Sequence, residues 1–194
     1  LGRLVARIHL EGETARFQHR PSIDIETYGV ASIDYLLRND FIPEDNRDAY
    51  ESVSELVLDG IEACFERAGG YRGIRLHGDC HPGNVLWSDD GPAFVDLDDC
   101  RSGPAVQDLW MLLSGDRRDM ALQFDALLEG YSTFHEFNPV ELALIEPLRT
   151  LRPLHYTAWL ARRWEDPAFP IAFPWFGEQR YWENLVLGLR EQLA

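Results

Sequence analysis

Residues 77–86 read His-Gly-Asp-Cys-His-Pro-Gly-Asn-Val-Leu, and residues 94–99 read Phe-Val-Asp-Leu-Asp-Asp. These stretches place Asp79 first, Asn84 five residues later, and Asp96 twelve residues beyond that, at the end of an apolar run. Phosphoryl transfer from ATP needs one carboxylate to orient the attacking hydroxyl, and an amide and a second carboxylate to hold Mg²⁺ on the phosphates. The spacing therefore matches the kinase pattern H-x-D-x-x-x-x-N followed by a strand that ends in Asp.

The three residues have distinct expected roles. Asp79 is the candidate catalytic base, because it would accept a hydrogen bond from the substrate hydroxyl and take its proton late in the transfer. Asn84 and Asp96 offer the hard oxygen ligands that suit Mg²⁺. The alternative is that Asp79 and Asn84 are turn residues that bond their own backbone. The ordered set of three, with a hairpin between Asn84 and Asp96, favours the kinase interpretation.

Neighbouring polar residues suggest support for this loop, or a different chemistry. Asp108 lies in a predicted buried helix, where a carboxylate needs partners, and the backbone amides of the catalytic loop are the expected ones. We assign His77 and Asp108 to the structural support of that loop. His77, Asp79 and His81 also spell H-x-D-x-H, which could hold a transition metal in a hydrolase. One of Asp98 and Asp99 could reach a second metal ion, or both are solvated loop charges.

Composition narrows the class of protein. The 194 residues, 45% of them apolar and 12% aromatic, are enough for a folded domain with its own core. A net charge of −15 repels nucleic acid and anionic lipid, so neither is an expected partner, and we expect a monomer. No apolar run reaches the length of a membrane span, and no signal peptide is visible. The three cysteines form no C-x-x-C, so we expect reduced, inert thiols in a cytoplasmic protein.

The chain contains no Lys at all, since its 18 basic residues are all Arg. A Walker A loop is therefore excluded, because that loop needs its Lys. The Lys of a kinase N-terminal lobe is missing as well, and no G-x-G-x-x-G phosphate loop is present. We therefore expect residues 1–194 to be a catalytic C-terminal lobe that lacks the nucleotide-binding N-terminal lobe and is weak or inactive by itself.

Hydrophobic periodicity predicts a mostly helical chain with short strands around the motif. Proline at 147 and 153 is expected to kink or split the long helix that Asn138 begins. The aromatic and Arg-rich stretch 152–182 either lines a substrate groove or, as we favour for Tyr156, Trp159 and Trp164, packs helices. The predicted helices span 1–10, 27–38, 45–68, 105–114, 118–130, a long segment from 138, and 178–193; the predicted strands span 74–77, 84–87 and 93–96, and 11–24 and 165–177 are irregular.

The sequence resembles a known family. His-Gly-Asp-x-His-x-Gly-Asn-Val-Leu is similar to the Brenner motif of the aminoglycoside phosphotransferase and choline kinase superfamily. Residues 76–87, 94–110 and 163–175 resemble more specifically the stress response kinase A (YihE/RdoA) family. That resemblance implies a bacterial cytoplasmic Ser/Thr protein kinase with a choline-kinase-like fold. It implies Asp79 as the proton acceptor, and Asn84 and Asp96 as the ligands of Mg²⁺, with ATP as co-substrate.

The motif also departs from that of ordinary protein kinases. Gly78, not Arg, precedes Asp79, so a phosphate on an activation loop could not pair with an Arg there. Leu97-Asp98, not Phe-Gly, follows Asp96, so an in-and-out flip of that loop is not expected. The other histidines, His9, His19, His135 and His155, are interpreted as ordinary core or surface residues.

These observations predict an α+β, mostly helical, protein-kinase-like lobe of the aminoglycoside phosphotransferase and choline kinase type, with a small β-hairpin at the active site. The predicted function is ATP- and Mg²⁺-dependent transfer of phosphate to a Ser/Thr hydroxyl of a protein. Three alternatives stay open: a kinase of small alcohols such as aminoglycosides, choline or homoserine, a metal-dependent hydrolase, and a binding module without catalysis.

Overall fold

The computed structural model describes residues 1–193, in which eight α-helices and four β-strands are present. A π-helical turn spans Ile25–Val30, directly before α2. The helices are α1 Gly2–Gly12, α2 Ala31–Arg38, α3 Glu44–Arg67, α4 Val106–Trp110, α5 Arg117–Tyr131, α6 Ile145–Arg162, α7 Ala168–Ala172 and α8 Gln179–Glu191. The strands are β1 Ile74–Leu76, β2 Val85–Ser88, β3 Gly91–Phe94 and β4 Arg101–Gly103, and the 3-10 segments are Pro82–Asn84, Leu97–Asp99, Pro139–Leu144 and Pro174–Gly177.

The chain divides into two compact units, of which the first contains the motif. This unit comprises Leu1–Ile23 and Ala68–Ile145. Its core includes Val5 of α1 and Val106 and Leu109 of α4, each fully buried. Their burial follows from the apolar face that recurs every three to four residues along each helix. The first unit therefore holds the candidate catalytic loop on a packed helical base.

Two small antiparallel sheets frame the motif within this unit. In the first sheet β1 pairs with β4, and Leu76 lies opposite Arg101. In the second sheet β2 and β3 form a hairpin in which Val85 lies opposite Phe94. The sequence predicts a turn over residues 89–92, but Gly91 and Pro92 already pair with β2, so the connection is the two residues Asp89-Asp90, which fix the register of the hairpin. The catalytic loop leaves β1, and the residues between β3 and β4 return next to it.

The second unit comprises Asp24–Arg67 and residues 146–193 of the described chain. Its core is aromatic, with Tyr50 and Trp182 packed edge to face at 6.3 Å between ring centroids. Trp159 stacks on Tyr156 with its ring centroid 5.9 Å away, and Trp164 packs on Phe176 at 4.8 Å. Trp159 also packs on Phe169 of α7, which agrees with the helix-packing interpretation for Trp159, whereas Tyr156 is exposed and its stack with Trp159 lies within α6.

The structure corrects several sequence predictions. Strand β4 was not predicted, because three residues carry no periodic signal and become a strand only through the pairing with β1. The helix predicted over 105–114 is limited to Val106–Trp110. Part of the stretch 165–177, predicted as irregular, is the short helix α7.

Proline affects α6 less than expected. The segment after Asn138 starts as a 3-10 turn and becomes α-helical at Ile145, and α6 then runs unbroken through Pro153 to Arg162. Pro147 falls in the first turn, where its missing N–H would lack a partner anyway. Pro153 lies inside the helix, but nine residues of α6 are buried, and this packing outweighs a local cost of about 3 kcal/mol. A split at Pro153 was therefore wrong, whereas the change from 3-10 to α-helix lies two residues before Pro147.

Within residues 1–193, no helix combines the length and the apolar character that crossing a membrane requires.

Candidate active site

The candidate catalytic loop, residues 77–84 between β1 and β2, begins with a backbone conformation that requires glycine. Gly78 has φ +85°, a left-handed value, and a Cβ atom at this position would clash with the carbonyl oxygen of Asp99. An Arg at this position would meet the same clash. The departure from the ordinary protein kinase motif therefore has a steric cause in the close approach of the loop to the residues after Asp96.

Asp108 binds the backbone at the start of this loop through hydrogen bonds. Its Oδ2 accepts a hydrogen bond from the backbone N–H of His77 at 2.8 Å, and its Oδ1 accepts one from Gly78 at 2.9 Å. Asp108 is fully buried in α4, so these bonds compensate the cost of removing a carboxylate from water. The backbone amides are the partners that the sequence analysis named for this residue.

A buried histidine and a tyrosine complete the surroundings of Asp108. His9 Nε2 lies 3.0 Å from Asp108 Oδ2, and because a carboxylate accepts, this nitrogen donates. His9 Nδ1 lies 2.8 Å from the hydroxyl of Tyr131, whose pKa is raised by burial, so the hydroxyl keeps its proton. From the sequence, His9 is interpreted as an ordinary histidine, and Tyr131 is not identified at all. The two contacts of His9 span 99 and 122 residues, so no local pattern indicates them.

Glu141 fixes the helix that carries Asp108. Its Oε2 accepts a hydrogen bond from the backbone N–H of Val106, the first residue of α4, at 2.9 Å. The residue is buried, and this burial raises the pKa of its carboxyl to about 7, although the amides of Val106 and Ala105 partly oppose the shift. Sequence reasoning missed this residue as well, since a glutamate in a predicted helix is ordinarily solvated.

Asn84 lies against Asp79, as their spacing led us to expect. The Nδ2 of Asn84 donates to the backbone carbonyl of Asp79 at 3.0 Å and lies 3.5 Å from its Oδ2. Both bonds use the nitrogen, so among the described residues the Oδ1 of Asn84 accepts none. Asn84 is buried, which limits the rotation of its amide. The amide oxygen is therefore oriented by the loop itself.

The hairpin brings Asp96 back to the loop through its neighbour Val95. The N–H of Val95 donates to the carbonyl of Asn84 at 3.0 Å, and His77 Nε2 donates to the carbonyl of Val95 at 2.8 Å. Asp96 follows with φ 62°, a left-handed conformation that Asp tolerates better than most residues. Its side chain is exposed. Val95 thus links the two halves of the motif.

The segment 97–100, which follows Asp96, is fixed by hydrogen bonds from Arg20. Arg20 Nη1 donates to the carbonyl of Cys100 at 3.0 Å and also to that of Asp98. The side chains of Asp98 and Asp99 are exposed, and Asp99 lies 3.4 Å from Arg101. Asp96 is exposed as well, so exposure does not decide whether either aspartate reaches a second metal ion.

The donor set fits magnesium better than a transition metal. Asn84 and Asp96 supply an amide oxygen and a carboxylate, and Mg²⁺ takes few protein oxygens because it keeps waters and phosphate oxygens. In the described part of the chain, no group of three or more His, Cys, Asp or Glu side chains is placed to hold a metal ion. His77 Nε2 is already bonded to Val95. These observations speak against the H-x-D-x-H hydrolase alternative.

Cys80 is enclosed beside the candidate base. Its side chain is fully buried, and burial raises the pKa of the thiol, to which the negative charges of Asp108 and Asp79 add. The thiolate, which is the reactive form, is therefore strongly disfavoured. This environment agrees with the expectation of an inert thiol.

Comparisons with known proteins agree with this geometry. The model of the phosphotransferase enzyme family matches residues 1–145. Stress response kinase A of Escherichia coli (strain K12) is 44% identical over 192 residues, and the serine/threonine protein kinase RdoA of Salmonella typhimurium (strain LT2) is 42% identical. Each match covers 99% of this chain, which spans 58% of the length of each relative.

A solved structure confirms the fold class. The choline/ethanolamine kinase family protein of Mesorhizobium loti is 19% identical, superposes with a TM-score of 0.58, and is matched over 98% of this chain and 65% of its own. The predicted α+β kinase-like fold of the aminoglycoside phosphotransferase and choline kinase type is therefore confirmed, as is the resemblance to the stress response kinase A family. The chain belongs to the phosphotransferase enzyme family.

Proposed function

We propose that this chain carries the catalytic residues of an ATP- and Mg²⁺-dependent kinase that phosphorylates Ser/Thr hydroxyls of proteins in the cytoplasm. The observation that carries the proposal is the convergence of Asp79, Asn84 and Val95-Asp96 on one loop and one hairpin, joined by the bonds described above. An arrangement of turn residues alone would not need the buried support that Asp108, His9 and Glu141 provide.

Each residue has a stated part in the reaction. Asp79 accepts a hydrogen bond from the substrate hydroxyl, aligns it with the γ-phosphate of ATP, and takes its proton as the new P–O bond forms and ADP leaves. Asn84 and Asp96 would hold Mg²⁺ through their side-chain oxygens. Bound Mg²⁺ would neutralise the charge of the phosphates. Asp108 keeps the loop in place and does not contact the reacting atoms.

The choice of a protein as acceptor rests on the relatives. One of them, 42% identical over nearly the whole chain, is named a serine/threonine protein kinase. The same three residues would serve a kinase of small alcohols, so the acceptor is the part of the proposal that experiment must decide.

The test measures transfer of labelled γ-phosphate from Mg-ATP, with the longest chain that the gene encodes. Acceptors are a generic protein, the chain itself, and a panel of small alcohols. Asp79→Asn removes the base, and we expect kcat to fall by about 10²- to 10⁴-fold, the range for general-base catalysis. Asp90→Asn makes the same chemical change in the exposed hairpin turn and should leave kcat unaltered.

Label on protein that disappears only in Asp79→Asn supports the proposal. Label found only on a small alcohol moves the assignment to kinases of antibiotics or metabolites. A folded wild-type chain that transfers no label to any acceptor, or an Asp79→Asn variant as active as wild type, overturns the proposed mechanism.

A further inference from the structure

The side chain of His81 is held in a fixed orientation beside the candidate base Asp79. It precedes the 3-10 segment Pro82–Asn84, and its Nδ1 accepts a hydrogen bond from the backbone N–H of Gly83 at 3.0 Å. A Cβ atom on residue 83 would lie within 3 Å of the His81 ring, so glycine at this position makes room for it. The sequence His-Pro-Gly thus fixes the direction of the imidazole.

The bond to Gly83 also determines where the ring carries its proton. A backbone N–H can only donate, so Nδ1 is the acceptor and is unprotonated. In the neutral ring the proton therefore resides on Nε2. This nitrogen lies 3.4 Å from Oδ2 of Asp79, and Asn84 Nδ2 lies 3.5 Å from the same oxygen. Oδ2 of Asp79 thus accepts a long hydrogen bond from Asn84 and lies within ion-pair distance of His81 Nε2, without a formed hydrogen bond to that nitrogen.

We propose that His81 is a positioning residue for Asp79, whose Oδ2 it holds through an Nε2–H donor. The carboxylate of an aspartate rotates readily about χ2, and a base must be aligned with its hydroxyl to act. A hydrogen bond from each donor to Oδ2 would restrict that rotation. The 3.4 Å approach of His81 Nε2 is not a formed hydrogen bond in the structure, so the proposal requires this contact to shorten when substrate binds.

The inference rests on the proposed function and deepens it. The competing explanation is that His81 only caps the 3-10 segment through its bond to Gly83. The two bonds use different ring atoms, so substitution can separate them. His81→Asn keeps an acceptor near the place of Nδ1 but has no atom at Nε2. His81→Gln keeps a donor near the place of Nε2 but loses the acceptor for Gly83.

The kinetic test compares these two variants with wild type in the phosphate-transfer assay, using the longest chain that the gene encodes. We expect His81→Asn to lower kcat by about 10-fold, the effect of losing one orienting hydrogen bond, with KM for Mg-ATP unchanged. His81→Gln should stay within about 3-fold of wild type while losing some thermal stability. The opposite order of the two variants, or a change in KM alone, overturns the inference.

A second measurement does not depend on activity. The two tautomers of histidine give distinct ¹⁵N chemical shifts, and the signal of His81 among the six histidines is identified by its loss in His81→Asn. With the ring in its neutral form, we expect the proton on Nε2. An Nδ1–H form overturns the inference even if the kinase assay succeeds. If wild type and Asp79→Asn both fail to transfer phosphate, the proposed function fails separately.

Discussion

Replacing Asp108 with Asn tests whether buried support organises the catalytic loop. In the native protein its two carboxylate oxygens accept three donors: the amides of His77 and Gly78 and the Nε2–H of His9. An asparagine amide offers one oxygen and one NH₂ group. In either orientation the NH₂ meets at least one N–H donor, so a buried amide or imidazole N–H is left without an acceptor.

The magnitude follows from these contacts. An unsatisfied buried donor costs about 1–3 kcal/mol, and the remaining bonds lose their charge-assisted strength. Breaking a buried charged network by altering one partner typically costs about 3–5 kcal/mol. We therefore expect Asp108→Asn to lower the free energy of unfolding by about 3 kcal/mol or more, and to reduce kcat because the start of the loop is no longer fixed.

Two assays measure these effects. Denaturant titration gives the change in unfolding free energy, and amide hydrogen exchange at His77 and Gly78 reports the loop directly, with exchange about 100-fold faster for a local loss of about 3 kcal/mol. Asp125→Asn, on the exposed face of α5, makes the same chemical change and should stay within about 0.5 kcal/mol of wild type. A loss below about 1 kcal/mol with wild-type kcat would refute the reasoning.

Two further predictions concern backbone strain and pH. Gly78→Ala places a Cβ against the carbonyl of Asp99 at a left-handed φ, so it should lower the free energy of unfolding by about 2 kcal/mol or more. As a control, Gly60→Ala in α3, where a Cβ meets nothing within 4 Å, should raise the free energy of unfolding by up to about 1 kcal/mol. Equal unfolding midpoints for the two variants would contradict this prediction. Burial raises the pKa of Glu141 from 4.5 to about 7, so its stabilising contribution is full below the lower value and is lost as pH rises through the higher one. Glu141→Gln removes this titration, so the unfolding midpoint should depend less on pH between these values, and an unchanged pH dependence would exclude Glu141 as its source.

The elements of the motif were predictable because their signals are local. The turn signal Asp-Asp-Gly-Pro at residues 89–92, between two apolar runs, predicted the hairpin, and period-3.6 patterns predicted the positions of α1, α3, α5 and α8. The order and spacing of Asp79, Asn84 and Asp96 along the chain indicate a common site. The burial of Asp108 and its hydrogen bonds to backbone amides were predictable from its apolar neighbours, because a carboxylate in a buried helix needs donors.

The sequence by itself determined the family, the kinase-like fold and the three candidate residues, since these depend on spacing along the chain. Only the tertiary structure decided that His9, Tyr131 and Glu141 support the loop, that β4 pairs with β1, and that α6 continues through Pro153. The contacts of His9 join residues about a hundred positions apart, and the helix is stabilised by burial against its own unit. Such long-range packing energies outweigh the local preferences of the chain. They cannot be predicted from the hydrophobic periodicity of the sequence.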